Sequence, residues 1–202
     1  MGLSIAYRGR IKKAKLLPEL IVEIVDIVKI YDWNYSVFNE EFKDDRFYKD
    51  VSDDVYGIIF SPPKCEPVFL TFLSNGIMIN PFVLEILKKR DIDLNVETGK
   101  WLFTKTQYVG IEVHKVIIQL FRYISEKYLE DFELYDDSRY WETNNEEILE
   151  ENFERYDFVV NKFSEALDDI SIKENDDVES LILKLFEYLN KKFGDKGFDF
   201  ES

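Results

Sequence analysis

The first residues of the chain alternate between apolar and polar side chains. Leu3, Ile5 and Tyr7 are apolar, and the residues between and beyond them include Ser4 and Arg8. A period of two is typical of a β-strand that buries one face, so this pattern predicts a strand at the start of the chain. Runs of β-branched and aromatic residues predict further strands at residues 33–38, 55–60, 68–73, 77–79, 101–106 and 132–135.

Other segments carry the helical period. Apolar residues recur every three to four positions in residues 17–31, where Pro18 fits the first turn, and again in residues 113–128, which follow Gly110. Residues 81–89 predict a short helix between two strands. Thr143 and Glu146 have the spacing of a capping box, which predicts the start of a further helix.

The C-terminal part of the chain carries two helical stripes. One covers residues 149–167 and the other covers residues 178–193, where Gly194 is a natural stop. Two amphipathic helices joined by a short polar link predict an αα-hairpin. We therefore predict an α+β domain at residues 1–140, with a mostly antiparallel sheet and helices packed on one face. An acidic helical hairpin at residues 141–202 follows, packed on the first part as a single globular unit.

Charge sharpens this division. The chain of 202 residues has 26 Lys+Arg and 41 Asp+Glu, a net charge of −15. Residues 1–128 hold 18 bases and 18 acids, whereas residues 129–202 hold 8 bases and 23 acids. The acidic part is either a solvated face that keeps the protein in solution or a docking surface for a basic protein. It argues against a nucleic-acid partner, an argument that is weaker for the electrically balanced first part.

Composition also predicts the compartment. The single cysteine, Cys65, forms no internal disulfide and fits a reducing cytoplasm. No uninterrupted apolar segment of membrane-spanning length is present, so neither a signal peptide nor a membrane contact is expected.

Sequence motifs exclude several chemistries. The eight glycines form no dinucleotide-binding fingerprint, and Thr98-Gly99-Lys100 lacks the remaining residues of a phosphate-binding loop. One His and one Cys do not build a zinc site, and residues 91–102 lack the glycine and glutamate of a calcium loop. We therefore expect neither a metal nor a cofactor.

A catalytic arrangement can still be drawn from Cys65, His114 and Glu142. A neutral histidine in the first turn of a helix suits a general base, and a thiol next to Lys64 is a possible nucleophile. The alternative is a buried, hydrogen-bonded histidine and an inert cysteine.

Two further segments are candidates for binding. Residues 103–108 precede a helix N-terminus, which can hold an anion. Trp141 lies at a turn, where it can anchor a ligand or fasten the hairpin to the sheet.

Four sequence blocks carry a family resemblance. MGLSIAYRGRI, SPPKCEPVFLTF, TKTQYVGIEVH and DSRYWET resemble an uncharacterised family of bacterial cytosolic proteins. The resemblance implies a bacterial source and a shared α+β domain, and it implies no activity. It directs attention to one candidate polar surface, made of Glu66, Lys105, Gln107, His114, Trp141 and Glu142.

Two functions follow as hypotheses. The first is a non-catalytic interaction module that docks a basic partner through its acidic C-terminal hairpin. The alternative is a small enzyme or ligand-binding domain with a polar site around Glu66, Lys105 and His114. A homodimer is a further possibility if the apolar stripes of the hairpin face outward.

Overall fold

A computed structural model describes residues 2–42, 54–90 and 101–169, together with six helical residues at 182–184, 187, 188 and 191. The predicted α+β class is confirmed, and all strand pairs within its sheets are antiparallel. The strands form two separate three-stranded sheets. The second helix of the predicted hairpin lies outside the described residues, apart from those six positions.

Six strands are present in the described part of the chain. They are β1 Ser4–Ile11, β2 Asn34–Val37, β3 Tyr56–Ser61, β4 Val68–Phe72, β5 Leu102–Lys105 and β6 Leu129–Asp136. The first sheet has the order β5-β1-β6 and the second has the order β2-β3-β4. The first strand of the chain is thus the centre of one sheet, flanked by strands that come about a hundred residues later.

Five α-helices are present in the described residues up to residue 169. They are α1 Leu17–Ile30, α2 Pro81–Lys89, α3 Ile111–Tyr128, α4 Tyr140–Thr143 and α5 Glu146–Asp169, and a short 3-10 turn, Ala14–Leu16, precedes α1. Proline occupies the first turn of α1 and α2, where its missing N–H costs nothing. The Asn80 side chain accepts hydrogen bonds from the amides of Phe82 and Val83 and so caps α2.

Two local predictions are wrong. Residues 77–79 return antiparallel to β4 after the tight turn at residues 74–76, as the Asn-Gly signal predicts, but they pair through isolated bridges, Arg10 with Ile77 and Phe72 with Met78, and form no separate strand. The capping box is replaced by Asn145, whose Oδ1 accepts hydrogen bonds from the amides of residues 147 and 148 at 2.8 and 3.4 Å. Thr143 instead ends the separate turn α4.

The apolar residues of β1 that alternate with polar ones lie in the core. Ile5, Tyr7 and Ile11 are fully buried, and the Tyr7 ring packs on Phe121 of α3 with ring centres 4.5 Å apart. The Tyr7 hydroxyl accepts a hydrogen bond of 2.8 Å from the amide of Phe69 in β4 and thereby links the two sheets. Because side chains alternate, the remaining β1 residues face away from this core.

The chain divides into two compact units, residues 1–153 and 154–202. The predicted boundary after residue 140 and the packing of the hairpin stay predictions. No helix in the described residues is both long enough and apolar enough to cross a bilayer.

Candidate functional site

His114 lies at the centre of a closed polar network in the core. Its side chain is 0% exposed. Nδ1 lies 2.8 Å from the hydroxyl of Thr106, and Nε2 lies 2.9 Å from the hydroxyl of Ser138 and 3.3 Å from Oδ2 of Asp136. Thr106, Ser138 and Asp136 are also fully buried. Both ring nitrogens are therefore engaged by neighbouring side chains, as buried polar groups require.

Three parts of the chain bring this network together. Thr106 directly follows β5, His114 lies in the first turn of α3, and Asp136 ends β6. Gly110 begins α3 with a φ of 82°, a left-handed conformation that favours glycine. The order β5-β1-β6 then places the ends of β5 and β6 on either side of β1, beneath the start of α3.

The Asp136 carboxylate is the acceptor for a whole turn. It accepts hydrogen bonds from the amides of Ser138, Tyr140 and Trp141 at 2.9, 3.0 and 3.1 Å, and from the Ser138 hydroxyl at 2.7 Å. Arg139 within this turn has a φ of 61°. The carboxylate thus satisfies the amides that begin α4 and holds the turn against His114.

The hydrogen bonds fix the direction of the Ser138 hydroxyl. It donates to Asp136, so its oxygen is free to accept from Nε2–H of His114. The Thr106 hydroxyl lies 2.8 Å from Nδ1 of His114 and donates to the Leu3 carbonyl at 3.4 Å. Burial by itself raises the pKa of Asp136, but the hydrogen bonds and attraction of His114 and Ser138 outweigh burial and hold that pKa below its usual value.

The lowered pKa predicts an acid-sensitive fold. Asp136 contributes stability that is fully present above its unfolded pKa of about 3.9 and is lost as the pH falls through the lower folded value. Urea unfolding between about pH 6 and 2 should show this loss. Asp136→Asn removes the titrating group, so the free energy of unfolding of this variant is expected to fall less steeply as the pH is lowered. An unchanged slope in that variant would contradict the assignment.

Trp141 and Glu142 adjoin the same network. Nη2 of Arg122 donates hydrogen bonds to the carbonyls of Tyr140 and Trp141 at 3.0 and 2.7 Å, and its guanidinium lies 5.1 Å from the Trp141 ring centre. Glu142 Oε1 accepts a 3.5 Å hydrogen bond from the amide of Asp136. The structure thus brings together three predicted residues, His114, Trp141 and Glu142, around the turn that Asp136 organises.

Glu66 and Lys105 form a separate pair. Oε2 of Glu66 accepts a hydrogen bond of 3.1 Å from the amide of Lys105, and the Lys105 carbonyl accepts one of 3.3 Å from the amide of Glu66. These bonds fasten the loop before β4 to the end of β5. Gln107 is placed elsewhere, with its carboxamide packed against Gly2. Among the grooves formed by the described residues, one includes Trp141 and another includes Glu66, and neither is lined by all six predicted residues.

The trio of Cys65, His114 and Glu142 is not assembled. Cys65 donates from its thiol to the Lys105 carbonyl at 3.4 Å, while His114 bonds to Thr106, Ser138 and Asp136. Burial, and to a lesser extent Glu66, raises the pKa of the Cys65 thiol to about 12, so the thiolate needed for attack does not form near neutral pH. The structure corresponds to the alternative of a buried histidine and an inert cysteine.

A concave feature lies on the outer face of the first sheet, and sequence reasoning missed it. An open groove of about 640 Å³ is lined by Ala6, Trp101, Phe103, Phe132, Glu133, Leu134, Tyr135 and Trp141. Phe103 and Tyr135 are 57% and 59% exposed. A signal for them was available, since both fall on the polar phase of the alternation in their strands.

Comparison with known proteins gives no relative. No family model, no curated protein and no solved structure matches this chain. The resemblance to an uncharacterised bacterial family accordingly stays a prediction.

The described residues offer few accessible groups for metal binding or nucleophilic attack. Within that part of the chain, no group of three or more His, Cys, Asp and Glu side chains is arranged to hold a metal ion. His114 has no exposed surface for contact with a solute, and Cys65 is protonated near neutral pH. What remains accessible is an aromatic groove and a dense set of carboxylates.

Proposed function

We propose that this protein is a non-catalytic interaction module that docks a basic protein through the acidic surface of its C-terminal part. The observation that carries the proposal is the composition of the stretch from Leu129 to Phe153. It holds ten Asp+Glu and a single base, Arg139. This stretch comprises β6, α4 and the first two turns of α5.

Most of these acids are on the surface. The exposed ones are Asp131, Glu133, Asp137, Glu142, Glu146, Glu147, Glu150 and Glu151. Glu133 pairs with Arg8 at 2.6 Å and Glu146 pairs with Lys115 at 2.8 Å. None of the three acids Glu147, Glu150 and Glu151 is paired with a cation among the described residues.

Folding does not require the charge of Glu147, Glu150 and Glu151. Exposed ion pairs contribute only about 0–1 kcal/mol each, and neighbouring like charges on a helix repel. A surface of one sign, however, accelerates encounter with a partner of opposite sign and selects against partners of the same sign. The network around His114 supports a non-catalytic role as well, because it closes off the only histidine. The alternative site around Glu66, Lys105 and His114 is disfavoured for the same reason.

Affinity capture from a native lysate at low and high salt tests the proposal. The acidic variant is Glu147→Gln/Glu150→Gln/Glu151→Gln, and the matched control is Glu40→Gln/Glu41→Gln/Glu126→Gln, which removes three exposed carboxylates from residues 1–128. The wild type and the control are expected to retain a partner that salt releases, and the acidic variant is expected to lose it.

Two results would contradict the proposal. One is recovery of no salt-sensitive protein, which would leave the carboxylates as a solubilising face. The other is equal loss from both triple variants, since net charge alone would then explain binding. Sedimentation of the purified chain tests the separate prediction of a homodimer.

A further inference from the structure

The outer face of the first sheet presents seven side-chain positions in register, contributed by Ser4, Ala6 and Arg8 of β1 and their partners in β5 and β6. Ala6 is the central one, directly opposite Phe103 in β5 and Tyr135 in β6. Ser4 pairs with Lys105 in the same sheet, and Arg8 pairs with Glu133. Since adjacent strands lie about 4.8 Å apart, the two aromatic positions are about 9.6 Å apart across a methyl group. The centre of this face is therefore a slot with an alanine floor and two aromatic walls.

One end of the slot is held rigid. Nε and Nη2 of Arg8 bond to Glu133 at 3.0 and 2.6 Å, and the Arg8 guanidinium lies 4.8 Å from the ring centre of Trp101. At the other end the Asp137 carboxylate accepts a 3.0 Å hydrogen bond from the amide of Ser4. These contacts set the positions of the side chains that border the slot, so the cost of ordering them on binding is small.

The slot suits a protein side chain better than a free metabolite. Sites for small molecules enclose most of the ligand, whereas this groove of about 640 Å³ is open along the sheet. Tryptophan, tyrosine and arginine are the residues that dominate protein interfaces, and all three border the groove. An apolar side chain over Ala6 would cover the walls, and the rest of the partner would close the groove.

The charges around the slot indicate the charge of the partner. The β6 side of the slot carries the carboxylates of Glu133, which pairs with Arg8, and Asp137, with Glu142 following in the next turn. Within β5 itself, Leu102–Lys105, the charged side chain is that of Lys105. We propose that the slot receives one apolar side chain from a segment of a basic partner protein, whose neighbouring Lys or Arg side chains meet the β6 carboxylates. This inference deepens the proposed function and rests on it for the basic character of the partner.

Short peptides of defined sequence test the slot on the full chain. The probe is a five-residue peptide with a central leucine flanked by two arginines on each side. Two control peptides are compared with it. One has a central serine in place of the leucine, and the other has glutamates in place of the arginines. Binding is followed through the backbone amide signals of the protein by NMR. The leucine–arginine probe is expected to shift the signals of Ala6, Phe103 and Tyr135. The serine peptide is expected to bind about tenfold more weakly, because the apolar side chain is gone.

Variants of exposed residues complete the test. Ala6→Leu fills the slot and Phe103→Ser/Tyr135→Ser removes its walls, and each is expected to weaken the probe about tenfold or more. Tyr108→Ser is the control, since Tyr108 is 65% exposed and lies outside the groove. It is expected to bind as the wild type does. Circular dichroism confirms that each variant keeps its fold.

The failures are distinguishable. Shifts confined to Glu147–Glu151, equal for leucine and serine peptides, would overturn the slot and leave the proposed function standing. Equal binding of the glutamate-flanked peptide at Ala6 would overturn the choice of a basic partner. No shift at Ala6 with millimolar probe would overturn the slot itself.

Discussion

Replacing Asp136 with alanine is expected to lower the free energy of unfolding by about 3–5 kcal/mol. The carboxylate accepts hydrogen bonds from three amides and a hydroxyl of residues 138–141, in addition to its contact with Nε2 of His114. Ser138 and Tyr140 are buried, so water does not replace the lost acceptor. Urea unfolding at neutral pH measures the loss.

The neighbouring carboxylate provides the control. Asp137 is exposed and accepts one hydrogen bond, from the amide of Ser4. Asp137→Ala is therefore expected to cost about 1 kcal/mol or less, because water can solvate the exposed amide. A loss in Asp136→Ala no larger than in Asp137→Ala would contradict the central place of Asp136 in the fold.

Gly57→Ala is expected to destabilise the protein by about 2–5 kcal/mol. Gly57 lies in the central strand of the second sheet with a φ of 104°, a backbone conformation that strains any residue with a Cβ. A Cβ there would also overlap the carbonyl oxygen of Leu70 in β4, which is backbone and cannot rotate away. The substitution therefore combines conformational strain with a separation of two paired strands.

Gly110→Ala separates these two effects. Gly110 has a φ of 82°, and a Cβ added there would meet no atom within 4 Å. Gly110→Ala is expected to lower the free energy of unfolding by about 1–2 kcal/mol, which is the cost of the strain alone. Thermal or urea unfolding of both variants gives the comparison. Equal losses at the two positions would show that the overlap with Leu70 is relieved at no cost.

Local patterning predicted most of the elements. The period of two identified β1, and the period of 3.6 identified α1 and α3, because each pattern matches the way side chains leave the backbone. Local prediction failed where two signals competed within a few residues. Asn145 displaced Thr143 as the cap of α5, since Thr143 already belonged to the short turn α4.

The candidate site was predicted only in fragments. His114, Trp141 and Glu142 were identified as polar or aromatic residues near helix starts, but nothing in the sequence showed that Asp136 connects them. Asp136 reads locally as one acid among many in an acidic segment. Its burial, with four hydrogen bonds from residues 138–141, depends on the turn that it organises and on the arrival of α3 above it.

By itself, the sequence determined the α+β class, the position of most helices and strands, and the confinement of the net negative charge to residues 129–202. Each of these properties depends on residues close together in the chain. Only the tertiary structure decided that β1 lies between β5 and β6, which come about 100 and 130 residues later. That pairing encloses His114 in its network and places Phe103 and Tyr135 on either side of Ala6. The pairing of strands so distant in the chain produces no periodic pattern in the sequence, so the groove became visible only when the strands were paired.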